Sequence, residues 1–489
     1  MARDIRQLTL GQLAPTLPPV VASAARSGTA RDALHQCYAD KLEVMPALTR
    51  SLVSFQSNKN APFYRWFKYR EGFSSELVGY FLSHFKPPHY GQPRVLDPFA
   101  GAGTTLTTST KAGWQATGIE LLPIGATAIR ARLLAGEVDV DAFKREIKRL
   151  GNFPLDSSLS NVYRFPHIRI TAQAFPEATE AAISAFMTFL KTIKDEDVRA
   201  LFHFACLSVL EDVSYTRKDG QYLRWDSRSG RKLKAKFSKA EIYEFRPAIT
   251  RQLDLMLEDI ARDSDGGTVA RNVQLIEGSC LSELPQLDDN YFDLVITSPP
   301  YCNRYDYTRT YALELAFLGH SEDDVKRLRQ TLLSATVENK SKYDWLARAY
   351  AGRGQMGRFR EAVSAFDNQK ALHEVLKLLY AARDKGELNN SNIPNLVENY
   401  FFEMSFVVHE LARVLRPGGH IVMVNDNVQY HGEEVPVDLI LSDYAASAGL
   451  TVDHIWVLPR GKGNSSQQMG AHGRNELRKC VYVWSKPLA

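Results

Sequence analysis

The stretch Asp97-Pro-Phe-Ala-Gly-Ala-Gly-Thr-Thr105, called the glycine turn below, decides the fold. It follows a short strand pattern at 94–97 and leads into a helical pattern at 104–112, so the sequence predicts a strand, a tight turn and a helix in that order. Many α/β folds hold nucleotide-like ligands on this arrangement, because backbone N–H groups at the helix start face the ligand. Gly101 and Gly103 would allow the close approach of backbone and ligand.

A second strand pattern covers 115–119 and ends in Glu120. In nucleotide-binding α/β folds, an acid about 20 residues past the glycine turn binds ribose hydroxyls. The pairing of Glu120 with the glycine turn therefore indicates a ligand that contains ribose. The alternative is that the glycine turn only caps a helix and that Glu120 is an ordinary surface acid.

The stretch Thr297-Ser-Pro-Pro-Tyr301 follows an apolar, β-branched run at 292–296, and its last four residues are called the SPPY turn below. The run predicts a buried strand, and open α/β sheets place their ligands where such strands end. Pro299 and Pro300 would stiffen the turn, since each proline fixes its own φ and restricts the residue before it.

The chemistry of the SPPY turn suits an exocyclic amine of a nucleobase. The Ser298 hydroxyl and the Pro299 carbonyl can accept hydrogen bonds from the two amine N–H groups. These hydrogen bonds favour the pyramidal geometry of a nucleophilic nitrogen. Tyr301 offers a flat ring on which a base turned out of the helix can stack. The alternative is a proline-rich turn with a surface tyrosine.

Together, these stretches resemble the motifs of S-adenosylmethionine-dependent DNA amino-methyltransferases. The resemblance implies an α/β, Rossmann-like methyltransferase fold: a mostly parallel sheet with a closing antiparallel strand pair and long, largely helical insertions. It also implies S-adenosyl-L-methionine as the cofactor, with its ribose on Glu120. The residues implied for the methionine part are Asp97, Pro98, Phe99, Ala100, Gly101, Gly103, Thr104 and Thr105, and those implied for catalysis are Ser298, Pro299, Pro300 and Tyr301.

Serine in the first position of such a turn is more typical of enzymes that methylate N4 of cytosine, whereas N6-adenine enzymes usually carry Asp or Asn. Ser298 therefore favours N4-cytosine methylation, in a restriction-modification or defence role. The alternatives are N6-adenine methylation, an RNA amino-methyltransferase and a catalytically inactive DNA-binding subunit. The intact motifs argue against the inactive subunit, and the N-terminal segment carries no recognisable RNA-binding module.

Further matches extend the resemblance over most of the chain. Residues 63–85 resemble the motif that precedes the glycine turn, with Phe73 and Ser74 beside the cofactor. Residues 273–279 resemble the strand that ends over the cofactor adenine. Ser279 stands there in place of the usual Asp, and the resemblance implies that Ser279 and Cys280 lie against the cofactor.

The C-terminal part resembles the second half of the methyltransferase sheet. A helix at 400–415 and a turn at 416–419 precede the predicted fifth strand, 421–424. The closing antiparallel pair is predicted at 455–458 and 480–484. The loop 460–479 resembles the segment beside the target base, and its candidate DNA contacts are Lys462, Gln467 and Arg474.

These positions predict how the chain is divided, because connections within α/β units are short and longer stretches are insertions. The predicted parts are an N-terminal helical extension (1–60), the cofactor-binding half (61–140), an insertion that is the candidate DNA target-recognition region (141–271), the catalytic strand with the SPPY turn (272–302), a helical insertion with possible DNA contact (303–395) and the C-terminal part of the methyltransferase domain (396–489).

The best basic and aromatic stretch runs from Arg217 to Lys239, with nine basic residues against two acids. Such a stretch can contact DNA phosphates, although charge runs are as often only a solvated surface. Its candidate contacts are Arg217, Lys218, Arg224 and Arg228. Asn303 and Arg304, just past the SPPY turn, are two more.

Composition agrees with a globular enzyme. The 489 residues suffice for two or three domains, and 44% apolar with 24% charged residues is ordinary. Double-stranded DNA is the predicted substrate, and a separate restriction endonuclease is a possible partner. The five cysteines show no metal or disulfide spacing, so no metal is expected, and Cys302 is predicted to pack rather than to act as a nucleophile. The sequence shows no membrane span or signal peptide, which predicts a cytoplasmic protein.

Overall fold

The structure, a computed structural model, describes residues 28–69, 71–85, 87, 91–155, 163–219, 222–232, 237–262, 271–459 and 477–488. The described strands are β1 (Leu42–Val44), β2 (Arg94–Asp97), β3 (Gln115–Glu120), β4 (Thr216–Asp219), β5 (Tyr222–Trp225), β6 (Val273–Glu277), β7 (Phe292–Thr297), β8 (Leu415–Asp426), β9 (Val428–Tyr430), β10 (Glu433–Val435), β11 (Thr451–Val457) and β12 (Lys479–Ser485). The described α-helices are α1 (Ala30–Cys37), α2 (Ser75–His84), α3 (Thr104–Lys111), α4 (Pro123–Ala135), α5 (Val140–Asn152), α6 (Glu177–Leu190), α7 (Glu196–Val213), α8 (Phe245–Arg262), α9 (Cys280–Glu283), α10 (Tyr307–Thr310), α11 (Ala312–Phe317), α12 (Glu322–Thr331), α13 (Tyr343–Gly352), α14 (Met356–Asn368), α15 (Lys370–Asp384), α16 (Ile393–Val414) and α17 (Val437–Ser447).

Within these residues, eight strands form one sheet in the order β1-β11-β12-β8-β7-β2-β3-β6. The strands from β8 to β6 in this order are mutually parallel. Strand β12 runs antiparallel to both β8 and β11, and β1 pairs in parallel with β11. The predicted Rossmann-like fold, with its mostly parallel sheet and closing antiparallel pair, is confirmed.

The structure extends the predicted elements at the sheet edge. The predicted fifth strand begins earlier, since β8 includes the residues 416–419 that were expected to form a turn. Gly419 fits there because a Cβ would lie 2.8 Å from the carbonyl oxygen of Asp293 on the neighbouring strand. The N-terminal extension was expected to be helical, but besides α1 it supplies the edge strand β1.

The central strand β7 is buried on both faces of the sheet, which explains why it is a nearly continuous apolar run. Successive side chains of a strand point to opposite faces. Leu294 and Ile296 of β7 therefore pack on the side of α2 and α3, while Val295 packs on the side of α16 and α17. The result is a sandwich of helices, sheet and helices.

A second hydrophobic core forms a helical lobe. Phe186, Phe202 and Leu253 of α6, α7 and α8 are fully buried in it, and so is Leu315 of α11. The lobe thus combines most of the first insertion with a short part of the second. Among the described helices, none is both long and apolar enough to cross a membrane.

Candidate active site

Two adjoining cavities lie at the carboxyl ends of the parallel strands, where open α/β sheets bind their ligands. The larger encloses about 540 Å³ of space, which includes volume open to solvent. The smaller has a volume of about 330 Å³. The residues that line both cavities are Tyr69, Glu71, Phe99, Gly101 and Ser298. We call the two cavities together the chamber, and the SPPY turn contributes Ser298 to the wall that they share.

Most of the residues predicted to hold the cofactor line this chamber. They are Phe73, Asp97, Pro98, Phe99, Ala100, Gly101, Thr104, Glu120, Ser279 and Cys280. Of the predicted catalytic residues, Ser298 and Pro300 line it. The predicted residues that do not line it are Ser74, Gly103, Thr105, Pro299 and Tyr301. The fold therefore brings the two motifs to one place.

Glu120 ends β3 with its carboxylate buried against the glycine turn. One oxygen accepts a hydrogen bond from the Gly101 N–H at 2.5 Å, and the other accepts one from the Leu122 N–H at 2.6 Å. Burial raises the pKa of this carboxyl to about 8, although the two N–H groups act in the opposite direction. Both oxygens are thus fixed in direction while the side chain lines the larger cavity.

Helix α4 approaches Glu120 so closely that Gly125 leaves no room for a side chain. A Cβ at this position would lie 2.5 Å from the Gly101 carbonyl oxygen and 2.9 Å from the Cδ of Glu120. Gly125 therefore sets the position of the carboxylate by allowing the helix to pack against it.

Two predicted cofactor residues, Gly103 and Ser74, do not line the chamber. Gly103 adopts a φ of +81°, which glycine enters without strain, and a Cβ there would lie 2.7 Å from Cγ1 of Ile129. The Ser74 hydroxyl accepts a hydrogen bond from the Leu77 N–H at 3.1 Å and so caps α2. Their contacts in the structure are with the protein itself.

Asp97 joins the glycine turn to the SPPY turn. Its Oδ1 accepts hydrogen bonds from the Thr297 hydroxyl at 2.7 Å and the Phe99 N–H at 3.1 Å. Its Oδ2 accepts one from the Thr105 hydroxyl at 2.8 Å, which explains the position of Thr105 outside the chamber. Burial raises the pKa of Asp97 to about 6. Because Thr297 precedes Ser298, one buried carboxylate holds both motifs in a fixed relation.

Within the SPPY turn, the Ser298 hydroxyl donates a hydrogen bond to the Tyr301 hydroxyl at 3.3 Å. This leaves the lone pairs of the Ser298 oxygen as acceptors for an incoming donor. Burial, together with the nearby Asp426 carboxylate, raises the pKa of Tyr301 above its ordinary value, so its hydroxyl stays protonated. Cys302, next in the chain, is fully buried, and burial raises its pKa, which does not suit a nucleophile.

The second insertion supplies part of the chamber wall that the sequence did not predict. Leu332 and Leu333 line the larger cavity. The segment that follows is fixed by a buried cluster, in which Glu403 of α16 accepts from the Ser334 N–H at 2.8 Å and pairs with the Lys342 Nζ at 2.7 Å. Only packing between distant parts of the chain brings these residues together, so no local pattern marks them.

Ser279 also contacts the second insertion. Its hydroxyl donates a hydrogen bond to the carbonyl oxygen of Thr331 at 3.4 Å. At the position where the family usually carries Asp, this chain therefore has a side chain that joins the cavity to the end of α12.

Three further wall residues were not predicted: Tyr69, Glu71 and Tyr307. Tyr69 and Glu71 belong to the motif at 63–85, and Glu71 lies two residues before Phe73. Because they are close in sequence to Phe73, their position beside the cofactor site could have been predicted. Tyr307 belongs to the segment after the SPPY turn. That segment was predicted to contact DNA, so Tyr307 was not predicted to line the chamber.

The basic stretch of the first insertion has mostly internal partners. Lys218 is 3% exposed and forms an ion pair with the buried Glu314, so its position does not suit the predicted phosphate contact. Because α11 carries Glu314, Lys218 instead joins the hairpin of β4 and β5 to that helix.

Other candidate DNA contacts of this stretch reach solvent. Arg217 is exposed, and the side chains of Arg224 and Arg228 are about half exposed, each paired with a nearby aspartate. Past the SPPY turn, the Asn303 side chain accepts from the Tyr305 N–H at 3.2 Å, and Arg304 adopts a φ of +67°. The candidates Lys462, Gln467 and Arg474 lie outside the described residues.

No group of three or more His, Cys, Asp and Glu side chains in the described ranges could hold a metal ion. The described walls of the chamber carry carboxylates, aromatic rings and hydroxyls. Its residues could hold a ligand with ribose hydroxyls, an apolar ring and positive charge.

Comparisons with known proteins agree with this geometry. The chain is 46% identical over 467 residues to the type II methyltransferase M.AvaI of Nostoc sp., with 93% of each protein covered, and the M.AvaI of Anabaena variabilis gives the same values. It is 39% identical over 466 residues to the type II methyltransferase M.BsoBI of Geobacillus stearothermophilus, which covers 92% of this chain and 91% of that protein. No protein-family model and no solved structure matched the chain. Similarity of this extent over nearly the whole length shows that the chain belongs to the type II DNA methyltransferases, the site-specific DNA methylases of restriction-modification systems.

Proposed function

We propose that this enzyme transfers a methyl group from S-adenosyl-L-methionine to the exocyclic N4 of cytosine in double-stranded DNA. The observation that carries the proposal is the position of Ser298 on the wall shared by the two cavities. A base amine held by Ser298 would meet a cofactor bound in the chamber. A serine, rather than Asp or Asn, at the first position of the SPPY turn supports cytosine over adenine.

The composition of the chamber supports S-adenosylmethionine as the cofactor. The acidic side chains that line its described walls are Glu71, Asp97 and Glu120, and no lysine or arginine lines those walls, which suits the positive sulfonium and ammonium groups. Glu120 can accept hydrogen bonds from ribose hydroxyls. Leu332 and Leu333 offer apolar surface to the adenine. When bound, this cofactor supplies an electrophilic methyl group.

The SPPY turn would prepare the amine for attack. The Ser298 oxygen and the Pro299 carbonyl accept hydrogen bonds from the two amine N–H groups, so the nitrogen lone pair is withdrawn from the ring and becomes nucleophilic. After methyl transfer, the nitrogen loses one proton to water. Tyr301 fixes the serine hydroxyl through their hydrogen bond and offers its ring to the flipped base. Catalysis therefore rests on orientation and electrostatics and needs no covalent enzyme intermediate.

We assign target recognition mainly to the insertion 141–271, with a possible contribution from 303–395. Base edges must be read by groups outside the pocket for methyl transfer, and both insertions lie between the motifs. The solvent-accessible arginines of the first insertion would contact phosphates, while Asn303, Arg304 and the loop that contains Lys462, Gln467 and Arg474 would lie near the flipped base. A separate restriction endonuclease with the same target sequence is the proposed partner.

The base assignment predicts a specific product. DNA from methylation-deficient cells that express this protein should contain N4-methylcytosine, and DNA from cells that express Ser298→Ala should contain almost none. Mass spectrometry of the digested nucleosides checks both. N6-methyladenine in place of N4-methylcytosine would refute the assignment to cytosine, and absence of any modified base would refute the proposed activity on DNA.

Cofactor affinity should depend on pH through Glu120. Its raised pKa means that the free protein keeps this carboxyl protonated below about pH 8, whereas acceptance of ribose hydroxyls favours the ionised form. Binding therefore releases a proton, and affinity rises by up to about tenfold per pH unit below pH 8 and then levels off. Calorimetry with 5′-methylthioadenosine, which has the ribose but no ammonium group, measures this. Glu120→Gln should bind more weakly without the slope, and an equal slope in both proteins would exclude Glu120 as its source.

A further inference from the structure

Glu71 lies where the two cavities meet, on the same shared wall as Ser298. The methyl group that reacts must lie beside Ser298, because the SPPY turn holds the amine. The sulfonium that carries this methyl group is therefore a neighbour of the shared wall. We propose that the Glu71 carboxylate is the counter-charge for the sulfonium, so that the enzyme binds the methyl donor in preference to its demethylated product; this rests on the proposed cofactor.

Two tyrosines fix the direction of the Glu71 carboxylate. The Tyr305 hydroxyl donates to one of its oxygens and the Tyr311 hydroxyl donates to the other. Burial and the Glu71 charge raise the pKa of both tyrosines above the ordinary value, so both hydroxyls remain donors. The carboxylate is thus oriented before any ligand binds. Tyr305 follows the SPPY turn by only a few residues, which couples Glu71 to the catalytic segment.

Tyr311 is itself supported from the helical lobe. Its ring stacks on that of Tyr69, with centroids 5.5 Å apart and planes within 10°. The Lys218 Nζ lies 4.8 Å from the Tyr311 ring centroid, which is a favourable cation–π distance. Lys218 is held there by Glu314 and, at 3.6 Å, by Glu211. The buried lysine, which did not suit DNA contact, therefore supports the orientation of Glu71.

The charge of the ligand changes during the reaction, and Glu71 is placed to respond to that change. S-adenosylmethionine carries a positive sulfur, whereas S-adenosylhomocysteine carries a neutral thioether. Attraction to Glu71 is lost when the methyl group leaves, which favours release of the product. Glu120 faces the ribose, which donor and product share, so it cannot make this distinction.

The test compares the dissociation constants of S-adenosylmethionine and S-adenosylhomocysteine by calorimetry. Glu71→Gln keeps the size of the side chain and removes its charge. We expect the affinity for S-adenosylmethionine to fall about tenfold or more, and the affinity for S-adenosylhomocysteine to change less than about twofold. Tyr311→Phe, which removes one orienting hydroxyl, should shift the same ratio in the same direction by a smaller factor. Glu76→Gln, at an exposed glutamate of α2, is the matched control and should leave both constants unchanged.

Retained binding of S-adenosylhomocysteine by Glu71→Gln shows that the variant is folded. An equal loss of affinity for both ligands, or no loss for either, would refute the role proposed for Glu71 but not the proposed cofactor. Failure of the wild-type protein to bind either ligand would overturn the proposed cofactor and this inference together.

Discussion

Methyl transfer by Ser298→Ala is expected to be about 10²–10³-fold slower than that of the wild-type enzyme, a loss typical for removal of one oriented hydrogen-bonding group from a transition state. The reason is that alanine offers no acceptor to the amine, while the Pro299 carbonyl alone cannot draw the lone pair out of the base. Affinity for S-adenosylmethionine should change less than about threefold, because the interaction develops with the reacting nitrogen and not with the cofactor.

Single-turnover experiments with excess enzyme and a labelled methyl group measure the chemical step directly. Cys302→Ala is the matched control. Cys302 directly follows the SPPY turn in the chain, is fully buried and does not line the chamber. It should retain the rate within a few-fold, with some loss of stability from the vacated volume. The opposite pattern, an inactive Cys302→Ala and an active Ser298→Ala, would require a covalent mechanism in place of the one proposed here.

The second large effect is expected for Gly125→Ala, where a single methyl group should weaken binding of S-adenosylmethionine about 10–100-fold. The added Cβ would lie 2.5 Å from a backbone carbonyl oxygen and 2.9 Å from the Glu120 carboxyl carbon, so the helix or the carboxylate must move. Overpacking of this kind costs about 1–3 kcal/mol, and here it acts on the carboxyl group that is proposed to bind the ribose. The measurement is the dissociation constant by calorimetry, together with the melting temperature.

Gly79→Ala provides the control, because Gly79 also lies within a helix but a Cβ there would meet nothing within 4 Å. Alanine stabilises a helix by about 1 kcal/mol relative to glycine, so this variant should bind normally and melt no lower than the wild type. The same chemical change is thus expected to act in opposite directions at the two sites. Normal binding by Gly125→Ala would mean that α4 can shift without moving Glu120.

The strands β2, β3 and β7 could be predicted because each is short, largely apolar and followed by a distinctive residue or turn. The glycine turn, Glu120 and the SPPY turn all adjoin the carboxyl end of a parallel strand, and the topology rule then places them together. Local sequence patterns could not predict which residues from distant parts of the chain complete the walls of the chamber. Leu332 and Leu333 belong to a segment that is held in place by long-range contacts such as the buried hydrogen bond of Ser334 with Glu403, 69 residues further along the chain.

Charge patterns in the sequence predicted the exposure of side chains poorly. The basic stretch predicts an exposed surface, but Lys218 is buried because Glu314, 96 residues away, supplies its partner. Likewise, the N-terminal segment shows a helical pattern, while β1 forms because β11 offers an unpaired edge that local sequence does not reveal. In both cases a distant segment determines the environment of the residue.

The hydrogen bond between Asp97 and Thr297 joins residues 200 positions apart in the chain. The relation between the glycine turn and the SPPY turn is therefore fixed by a contact across the sheet, whatever the number of residues in the helical lobe that lies between them in the chain. Much of that intervening chain folds around its own core in the helical lobe. On the proposed assignment of target recognition to this insertion, changes at the lobe surface would alter which DNA is recognised while the chemistry is preserved, and such a methylase could acquire new target sequences without rebuilding its reaction centre.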